Sequence, residues 1–350
     1  MKNFWQKLNN PFFCLAPMEE VTDVAFREMF ARYSNASNEL TANSYKLKAN
    51  EFVMFTEFVN VDGLTHPEGY KKLSIDLKYT EAQRPIVAQL WGTNPEKFFE
   101  AGKIVKDLGF DGIDINMGCP QEKEVNIGAC AALINTPKLA LEIIKATQES
   151  WRFTPSLFKE GEGGVPVSVK TRIGYHKIQT EEWIGTLLQS GISALTIHGR
   201  TKKEMSKVPA HWEEIKKAVE LRNKMQNELG KEHQTLIIGN GDVLSRAEGL
   251  EKIQQTGCDG IMIGRGAFGS PWIFRNDNYQ PSVSEKLRVM LEHAELFEKW
   301  LPEKHFLIMR KHFKAYASGF ENSAELRAKL MATKNPGETR EIVNEYLKES

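Results

Sequence analysis

The chain has 350 residues, of which 41% are hydrophobic and 26% are charged, so it can form a substantial core and is not expected to be disordered. Its 46 Lys and Arg balance 46 Asp and Glu, which excludes a histone-like protein that holds nucleic acid by overall charge. Four cysteines without a Cys-x-x-Cys pair, and no apolar run of about 18 residues, predict a cytoplasmic chain with no metal and no membrane segment.

Eight short apolar runs alternate with stretches of helical composition, as in a parallel sheet whose strands are buried on both faces. The runs are 12–16, 53–59, 85–90, 112–116, 165–170, 194–198, 235–239 and 260–264. Eight such units predict a (β/α)8 TIM barrel. An open doubly wound sheet is disfavoured because the first run ends in Ala16-Pro17-Met18, without the usual glycine-rich turn. In a barrel the carboxyl ends of the strands meet at one mouth, where active sites lie.

The pattern becomes helical after Pro281. Residues 282–285 have the spacing of a capping box, and apolar side chains then recur at helical spacing from Leu287 to Leu301. Further helix starts are predicted at Asn322 and at Asn335. The chain is therefore expected to divide into a barrel domain at 1–280 and a small helical bundle at 281–350. The stretches 34–50 and 153–164 fit neither element and are predicted to be surface excursions.

Glycine-rich turns follow the seventh and eighth strands, at Gly239-Asn240-Gly241-Asp242 and Gly264-Arg265-Gly266. In barrels these two loops frequently bind phosphate, because glycine lets backbone N–H groups approach the anion. Arg265 would supply a countercharge. The alternative is that the glycines only make tight turns.

Three polar side chains close the fifth and sixth strands. Lys170 and Arg172 lie on the same side of the fifth strand. Because an unpaired charge inside a barrel is costly, Lys170 is expected to face the mouth or a ligand, with a solvated strand end as the alternative. His198 fits either a hydrogen-bonded core histidine or a functional one.

Cys119 follows the fourth strand in the turn Gly118-Cys119-Pro120, which would present the thiol at the mouth. A buried structural cysteine is the commoner fate of this residue type. A thiol with a pKa of about 8.5 is mostly protonated at neutral pH, so it can act as a general acid as well as a nucleophile.

The helical tail carries five Lys and Arg between residues 299 and 316, with Glu303 as the one acid. The five are Lys299, Lys304, Arg310, Lys311 and Lys314. Arg310 and Lys314 are one turn apart, opposite an apolar stripe, so this face suits phosphate groups. A solvated cationic face is the alternative.

Several motifs together resemble the successive signatures of the tRNA-dihydrouridine synthases over roughly residues 11–330. They are Ala16-Pro17-Met18-Glu19-Glu20-Val21-Thr22-Asp23, residues 111–120 (DGIDINMGCP), Val169-Lys170-Thr171-Arg172-Ile173-Gly174, Ile197-His198-Gly199-Arg200-Thr201, Asn240-Gly241-Asp242 and Gly264-Arg265-Gly266. One departure is Cys130, which stands where the family pattern has a second glycine.

The resemblance implies an FMN-bound barrel that uses NADPH to reduce the C5=C6 bond of particular uridines in tRNA. It implies a cytoplasmic monomer with tRNA as its partner. By motif, FMN would be held by Ala16, Pro17, Met18, Gln89, Lys170, His198, Asn240, Gly241, Asp242, Gly264 and Arg265. Cys119 would be the proton donor, and the tRNA would be bound by Asn116, Arg172, Arg200, Arg310, Lys311 and Lys314.

Two other functions remain open on the residues alone. One is an FMN barrel that acts on a free pyrimidine, similar to dihydroorotate dehydrogenases, although such an enzyme has no need of the basic tail. The other is an RNA-binding barrel without catalysis, against which the presence of both Cys119 and Lys170 argues. The position of the modified uridine is not encoded in any motif.

Overall fold

The computed structural model describes residues 3–34, 52–151, 166–229, 235–277 and 279–349. Most of both predicted excursions therefore lies outside the described residues. Ser34 is an exception, since it ends the first helix and is buried.

Eight parallel strands close into one barrel in chain order, as predicted. Each strand pairs with the next, and the first strand pairs with the eighth through Phe12↔Gly260 to Leu15↔Ile263. The strands are β1 Phe12–Leu15, β2 Phe52–Asn60, β3 Ile86–Trp91, β4 Gly112–Met117, β5 Val167–Arg172, β6 Ala194–His198, β7 Leu236–Asn240 and β8 Gly260–Ile263.

Helices follow the strands and cover the outside of the barrel. The α-helices are α1 Val24–Tyr33, α2 Val61–Leu64, α3 Pro67–Leu73, α4 Pro95–Asp107, α5 Glu122–Asn126, α6 Pro137–Glu149, α7 Thr180–Leu188, α8 Trp212–Leu229, α9 Arg246–Thr256, α10 Val283–Trp300, α11 Met309–Tyr316, α12 Ser323–Leu330 and α13 Pro336–Glu349. Short 3₁₀ helices lie at Phe4–Lys7, Ser74–Leu77, Glu81–Gln83, Cys130–Asn135, Arg265–Ala267 and Phe306–Ile308.

Strand alternation sorts the side chains into two apolar clusters. In β4, Ile113 and Ile115 join the large cluster between barrel and helices, whereas Asp114 and Asn116 lie on the opposite face of the strand. A smaller cluster of strand residues includes Val87 and is joined by Trp5, whose ring lies near those of Phe12 and Phe55. The 3₁₀ helix before β1 thus packs its tryptophan against the apolar face of the strands opposite the helices.

The predicted helices of the tail are present. The Ser282 side chain accepts a hydrogen bond from the Glu285 backbone N–H at 3.1 Å and so caps α10. Helix α10 contacts α1 and α13, and its apolar side chains Leu287, Met290 and Phe297 are buried. His312 of α11 is also fully buried, with its ring against Phe26 and His293, so it does not belong to a polar helix face.

Lys304 joins the helical tail to the barrel. Its Nζ lies 2.7 Å from Glu57 Oε1 and 2.7 Å from Asp76 Oδ1, and all three side chains are largely buried. The other Glu57 oxygen accepts the backbone N–H of Glu20, and Lys311 Nζ donates to the Glu20 carbonyl at 3.0 Å. Two lysines of the tail therefore hold the loop that follows β1.

We expect Lys304→Ala to lower the free energy of unfolding by about 3 kcal/mol, because it removes the ion-pair partner of the buried Glu57 and the half-buried Asp76. Burial raises the pKa of Glu57 to about 7, an effect that Lys304 opposes. Below that pH Glu57 is neutral and needs no cation, so the loss should be larger at pH 8 than at pH 5.5. Urea unfolding at the two pH values measures this difference.

Lys71→Ala is the matched control, because Lys71 makes an exposed ion pair with Glu68. Such pairs contribute at most about 1 kcal/mol. An equal decrease in the free energy of unfolding for the two variants would contradict a stabilising ion pair between the tail and the barrel. A decrease for Lys304→Ala that does not depend on pH would contradict it as well.

Candidate functional site

A cavity opens at the carboxyl ends of β1, β5, β6, β7 and β8. The residues predicted to bind the cofactor, other than Gln89, line it together with two residues predicted to bind substrate. They are Ala16, Pro17, Met18, Lys170, Arg172, His198, Arg200, Asn240, Gly241, Asp242, Gly264 and Arg265. The barrel therefore brings together side chains that are up to 249 positions apart in the chain, from Ala16 to Arg265.

The turn after β7 needs the special backbone freedom of glycine. Gly241 has φ 132° and Asp242 has φ 55°. A Cβ on Gly241 would lie 2.7 Å from Ala210 Cβ and 3.2 Å from the His198 ring. Asp242, which follows this tight turn, accepts hydrogen bonds from Arg200 and from Arg265, the latter at 2.7 Å.

The cavity carries an excess of positive charge. Lys170, Arg172, Arg200 and Arg265 line it against one carboxylate, Asp242, so four cations face one anion. Burial and the neighbouring Arg172, Lys170 and Arg200 lower the pKa of His198 well below its usual value, so this imidazole is neutral at pH 7. An anionic ligand would compensate the charge.

Lys170 lies in β5 and is one of the four cations that line the cavity. Burial, and then the nearby Arg172, lower its pKa to about 8, while Asp114 beneath it acts in the opposite direction. At pH 7 most Lys170 side chains are therefore charged. A half-buried lysine of this kind, at the wall of a cavity, is suited to stabilise a negative charge that develops on a ligand.

The turn that carries Cys119 is held from both sides. Asn116 Oδ1 accepts the backbone N–H groups of Gly118 at 3.0 Å and of Cys119 at 2.9 Å. Arg172 Nε donates to the Gly118 carbonyl at 2.8 Å. A Cβ at Gly118 would lie 3.3 Å from the Lys170 carbonyl, so glycine permits the close approach of the turn to β5.

Cys119 is the half-buried one of four free cysteines, and Cys14, Cys130 and Cys258 are buried. The Cys119 thiol makes a side-chain hydrogen bond with that of Cys130, which lowers the pKa of Cys119 although burial opposes this. The same bond and burial raise the pKa of Cys130. Cys130 therefore keeps its proton, and Cys119 is the more acidic thiol of the pair.

Three predicted site residues of the barrel, Gln89, Asn116 and Cys119, do not line the cavity. Cys119 lies on the turn beside it, which Arg172 of the cavity lining contacts. Gln89 and Asn116 are both buried, and Asn116 Nδ2 donates to Gln89 Oε1 at 3.1 Å. Arg172 and Arg200 line the cavity, but both also hold loops at its rim. Arg172 donates to the carbonyls of Thr201 and Met205, and Arg200 donates to that of Val208.

The cationic face of the tail is smaller than expected. The assignment of Lys304 to it was wrong, because this side chain is buried between Glu57 and Asp76. Lys311 contacts Glu20, so α11 lies beside the loop that follows Met18. Arg310 is half-buried and Lys314 is exposed.

The sequence reasoning missed Asp114 and Ser168, whose side chains are hydrogen bonded to each other below the cavity. A signal was available, since Asp114 and Asn116 occupy alternate positions in a strand that is otherwise apolar. Two polar groups on one face of a buried strand predict a polar contact inside the barrel.

Two further findings concern the described part of the chain. It contains no group of three or more His, Cys, Asp or Glu side chains arranged to hold a metal ion. No single described helix is long and apolar enough to cross a membrane, and residues 122–135 and 137–149 reach that length only as two segments that meet at 94°.

Comparison with known proteins identifies a family. Residues 14–350 match the family described as dihydrouridine synthase. A probable tRNA-dihydrouridine synthase of Staphylococcus epidermidis is 39% identical over 99% of this chain and 96% of its own length. Probable tRNA-dihydrouridine synthase 2 of Bacillus subtilis is 37% identical over 99% of this chain and 97% of its own length.

A solved structure supports the fold independently. Histamine dehydrogenase from Rhizobium matches with a TM-score of 0.51 at 12% identity. The match covers 82% of this chain and 49% of the histamine dehydrogenase chain.

We expect iodoacetamide to modify Cys119 faster than the three buried cysteines of the native protein. Cys130→Ala removes the hydrogen bond that lowers the pKa of Cys119, so a smaller fraction of thiolate should be present and modification at pH 7 should slow several-fold. Mass spectrometry of tryptic peptides over a pH series measures this rate. Cys258→Ala, at a buried thiol near the start of β8, is the control, and equal rates in the two variants would mean that Cys130 does not act on Cys119.

Proposed function

The chain belongs to the dihydrouridine synthase family, and from this premise we propose that it reduces the C5=C6 bond of particular uridines in tRNA, with bound FMN and with NADPH as the reductant. The observation that carries the proposal is the position of Cys119. Its half-buried, acidified thiol is carried by a turn whose backbone is hydrogen bonded to Asn116 and to Arg172, and Arg172 lines the neighbouring cavity.

The cavity residues fit FMN by charge and by shape. The excess of three cations over anions suits a phosphate group, and the glycine turns after β7 and β8 leave room for it near Arg265. Ala16, Pro17 and Met18 supply an apolar wall on which a flat ring can lie, and Lys170 faces the same space. We propose that these residues hold the ring and that Asn240 to Asp242, Gly264 and Arg265 hold the phosphate end.

When bound and reduced, FMN supplies a hydride to C6 of the uracil. The C5=C6 bond is conjugated with the C4 carbonyl, so this addition moves an electron pair toward C4=O and leaves C5 in need of a proton. The Cys119 S–H donates that proton. The thiolate that remains accepts the Cys130 S–H bond and lies near the guanidinium of Arg172.

Lys170 would balance negative charge on the ring edge, since it is mostly charged at pH 7 and lines the same cavity as Pro17 and Met18. We further propose that a uridine leaves its stack to enter the mouth, which costs a few kcal/mol and less in an unpaired loop. Lys314 and Arg310 on α11 lie on the helix whose Lys311 contacts the mouth loop, and they would bind the tRNA backbone.

The direct test incubates the FMN-loaded protein with NADPH and tRNA that lacks dihydrouridine, followed by mass mapping of the tRNA. A mass increase of two hydrogens at defined uridines supports the proposal. Reduction of free uracil or oxidation of dihydroorotate, with no change in tRNA, would favour an enzyme of free pyrimidines. A protein that binds tRNA but no FMN would favour the binding function without catalysis.

Cys119→Ala should retain FMN and NADPH oxidation but slow uridine reduction by about 10²–10⁴-fold, the usual contribution of a general acid. FMN absorbance, NADPH consumption and dihydrouridine yield are measured on the same preparation. Cys258→Ala should behave as wild type. Uridine reduction at the wild-type rate in Cys119→Ala would remove this thiol from the reaction.

Replacement of Arg310, Lys311 and Lys314 by Ala should weaken tRNA binding and reduce the slope of log K against log salt by about 0.9 for each phosphate that the variant no longer neutralises. Filter binding at several salt concentrations gives the slope. FMN content is measured on the same protein, because Lys311 also contacts the loop that follows Met18. The matched control replaces Lys71, Lys97 and Lys103 on the barrel helices α3 and α4. If both triple variants change the slope equally, tRNA binding does not depend on the α11 face in particular.

A further inference from the structure

Four polar side chains form one hydrogen-bonded chain inside the barrel, under the loop that carries Cys119. Ser168 Oγ donates to Asp114 Oδ1 at 2.6 Å, and Gln89 Nε2 donates to Asp114 Oδ2 at 2.7 Å. Asn116 Nδ2 donates to Gln89 Oε1 at 3.1 Å. Asn116 Oδ1 then accepts the backbone N–H groups of Gly118 and Cys119.

The barrel register places these groups together. Gln89, Asp114 and Ser168 are direct partners across β3, β4 and β5, so their side chains extend from one level of the barrel. Asn116 lies two residues farther along β4, toward the mouth. Gln89 and Asp114 are fully buried, and Ser168 and Asn116 are 1% and 5% exposed, so solvent offers little competition for their hydrogen bonds.

The direction of every bond in this chain is determined by chemistry. An ionised carboxylate can only accept, so Asp114 turns the NH₂ group of Gln89 toward itself and the Gln89 oxygen toward Asn116. The Asn116 NH₂ group must face that oxygen, which leaves its own oxygen for the two backbone N–H groups. A reversed Gln89 would place two NH₂ groups face to face.

We propose that Asp114 is a positioning residue, which orients Gln89 and Asn116 and through them holds the turn that presents the Cys119 thiol. Its importance for uridine reduction rests on the function proposed above, whereas its effect on the turn does not. Asp114 acts on the turn through these two side chains and donates or accepts no proton in the reaction. Its separate effect on the charge of Lys170 is preserved in a variant that keeps one negative charge in the pair.

Two variants separate orientation from packing. Asp114→Leu keeps the approximate size of the side chain but removes the acceptor, so Gln89 can turn either way. The double variant Asp114→Asn with Gln89→Glu exchanges the two groups. There, Asn at 114 donates to Glu at 89, which still accepts from Asn116, and the buried pair keeps one negative charge.

The primary measurement is hydrogen–deuterium exchange of the Gly118 and Cys119 amides, followed by mass spectrometry with fragmentation and without tRNA. Asp114→Leu should speed exchange of both amides about tenfold or more, the effect expected when a buried hydrogen bond is removed. The double variant should restore exchange to within about threefold of wild type, because the orientation is restored.

The second measurement is uridine reduction. Asp114→Leu should lower kcat about 100-fold, the order expected for a small displacement of a reacting group, and leave the KM for tRNA within about twofold. Asp111→Asn is the control, because Asp111 precedes β4 and accepts from Ile86 N at 2.8 Å at the other end of the strand. It should change neither the exchange at 118 and 119 nor kcat.

Each outcome decides one question. Exchange that is unchanged in Asp114→Leu, or a double variant that exchanges as fast as Asp114→Leu, would overturn the positioning role. If Asp114→Leu does not fold, the double variant still tests the proposal. Fast exchange of its Gly118 and Cys119 amides would contradict the positioning role. If exchange responds as expected but wild type reduces no uridine, the positioning role stands and the proposed function falls.

Discussion

A closed barrel gives its inward-pointing polar groups few partners except one another. The apolar cluster that includes Trp5 and Val87 fills part of the barrel, so a charged or amide group above it must find hydrogen bonds across the strands. Asp114 finds them at Gln89 and Ser168, which are its register partners. The hydrogen bonds below the candidate site therefore join residues that the strand register already places side by side. The rigid sheet fixes the positions of these side chains.

The rim depends on a different set of contacts. Arg172 and Arg200 reach across to backbone carbonyls of neighbouring loops, which fixes the loops after β4 and β6. The loop after β1 is held from outside the barrel, by Lys304 through Glu57 and by Lys311 directly. The helical tail therefore helps to form the mouth. A ligand bound to α11 would therefore lie next to the loop that lines the mouth.

Sequence patterns predicted the elements because each element is encoded locally. The eight apolar runs gave all eight strands, and Ser282 marked the start of α10 through its own side chain. Lys304 was misassigned because its partner Glu57 lies 247 positions away, and no local pattern reports such a pair. Gln89 was expected at a cofactor ring, but the sequence does not give the register that pairs it with Asp114. The division into domains at 280/281 remains a prediction.

The surroundings of Cys119 act on its pKa in opposite directions. The hydrogen bond from Cys130 lowers the pKa of Cys119 and favours the thiolate, whereas burial and negative charge on Glu124 and Glu19 favour the S–H form. Burial lowers the pKa of Arg172 and a charge on Cys119 raises it, so this guanidinium favours the thiolate as well. The balance of these opposing influences sets the acidity of the Cys119 thiol, which is the property that would decide its use as a proton donor. Cys130 is part of this balance, so the residue at which the sequence resemblance predicted a departure acts on the acidity of the Cys119 thiol.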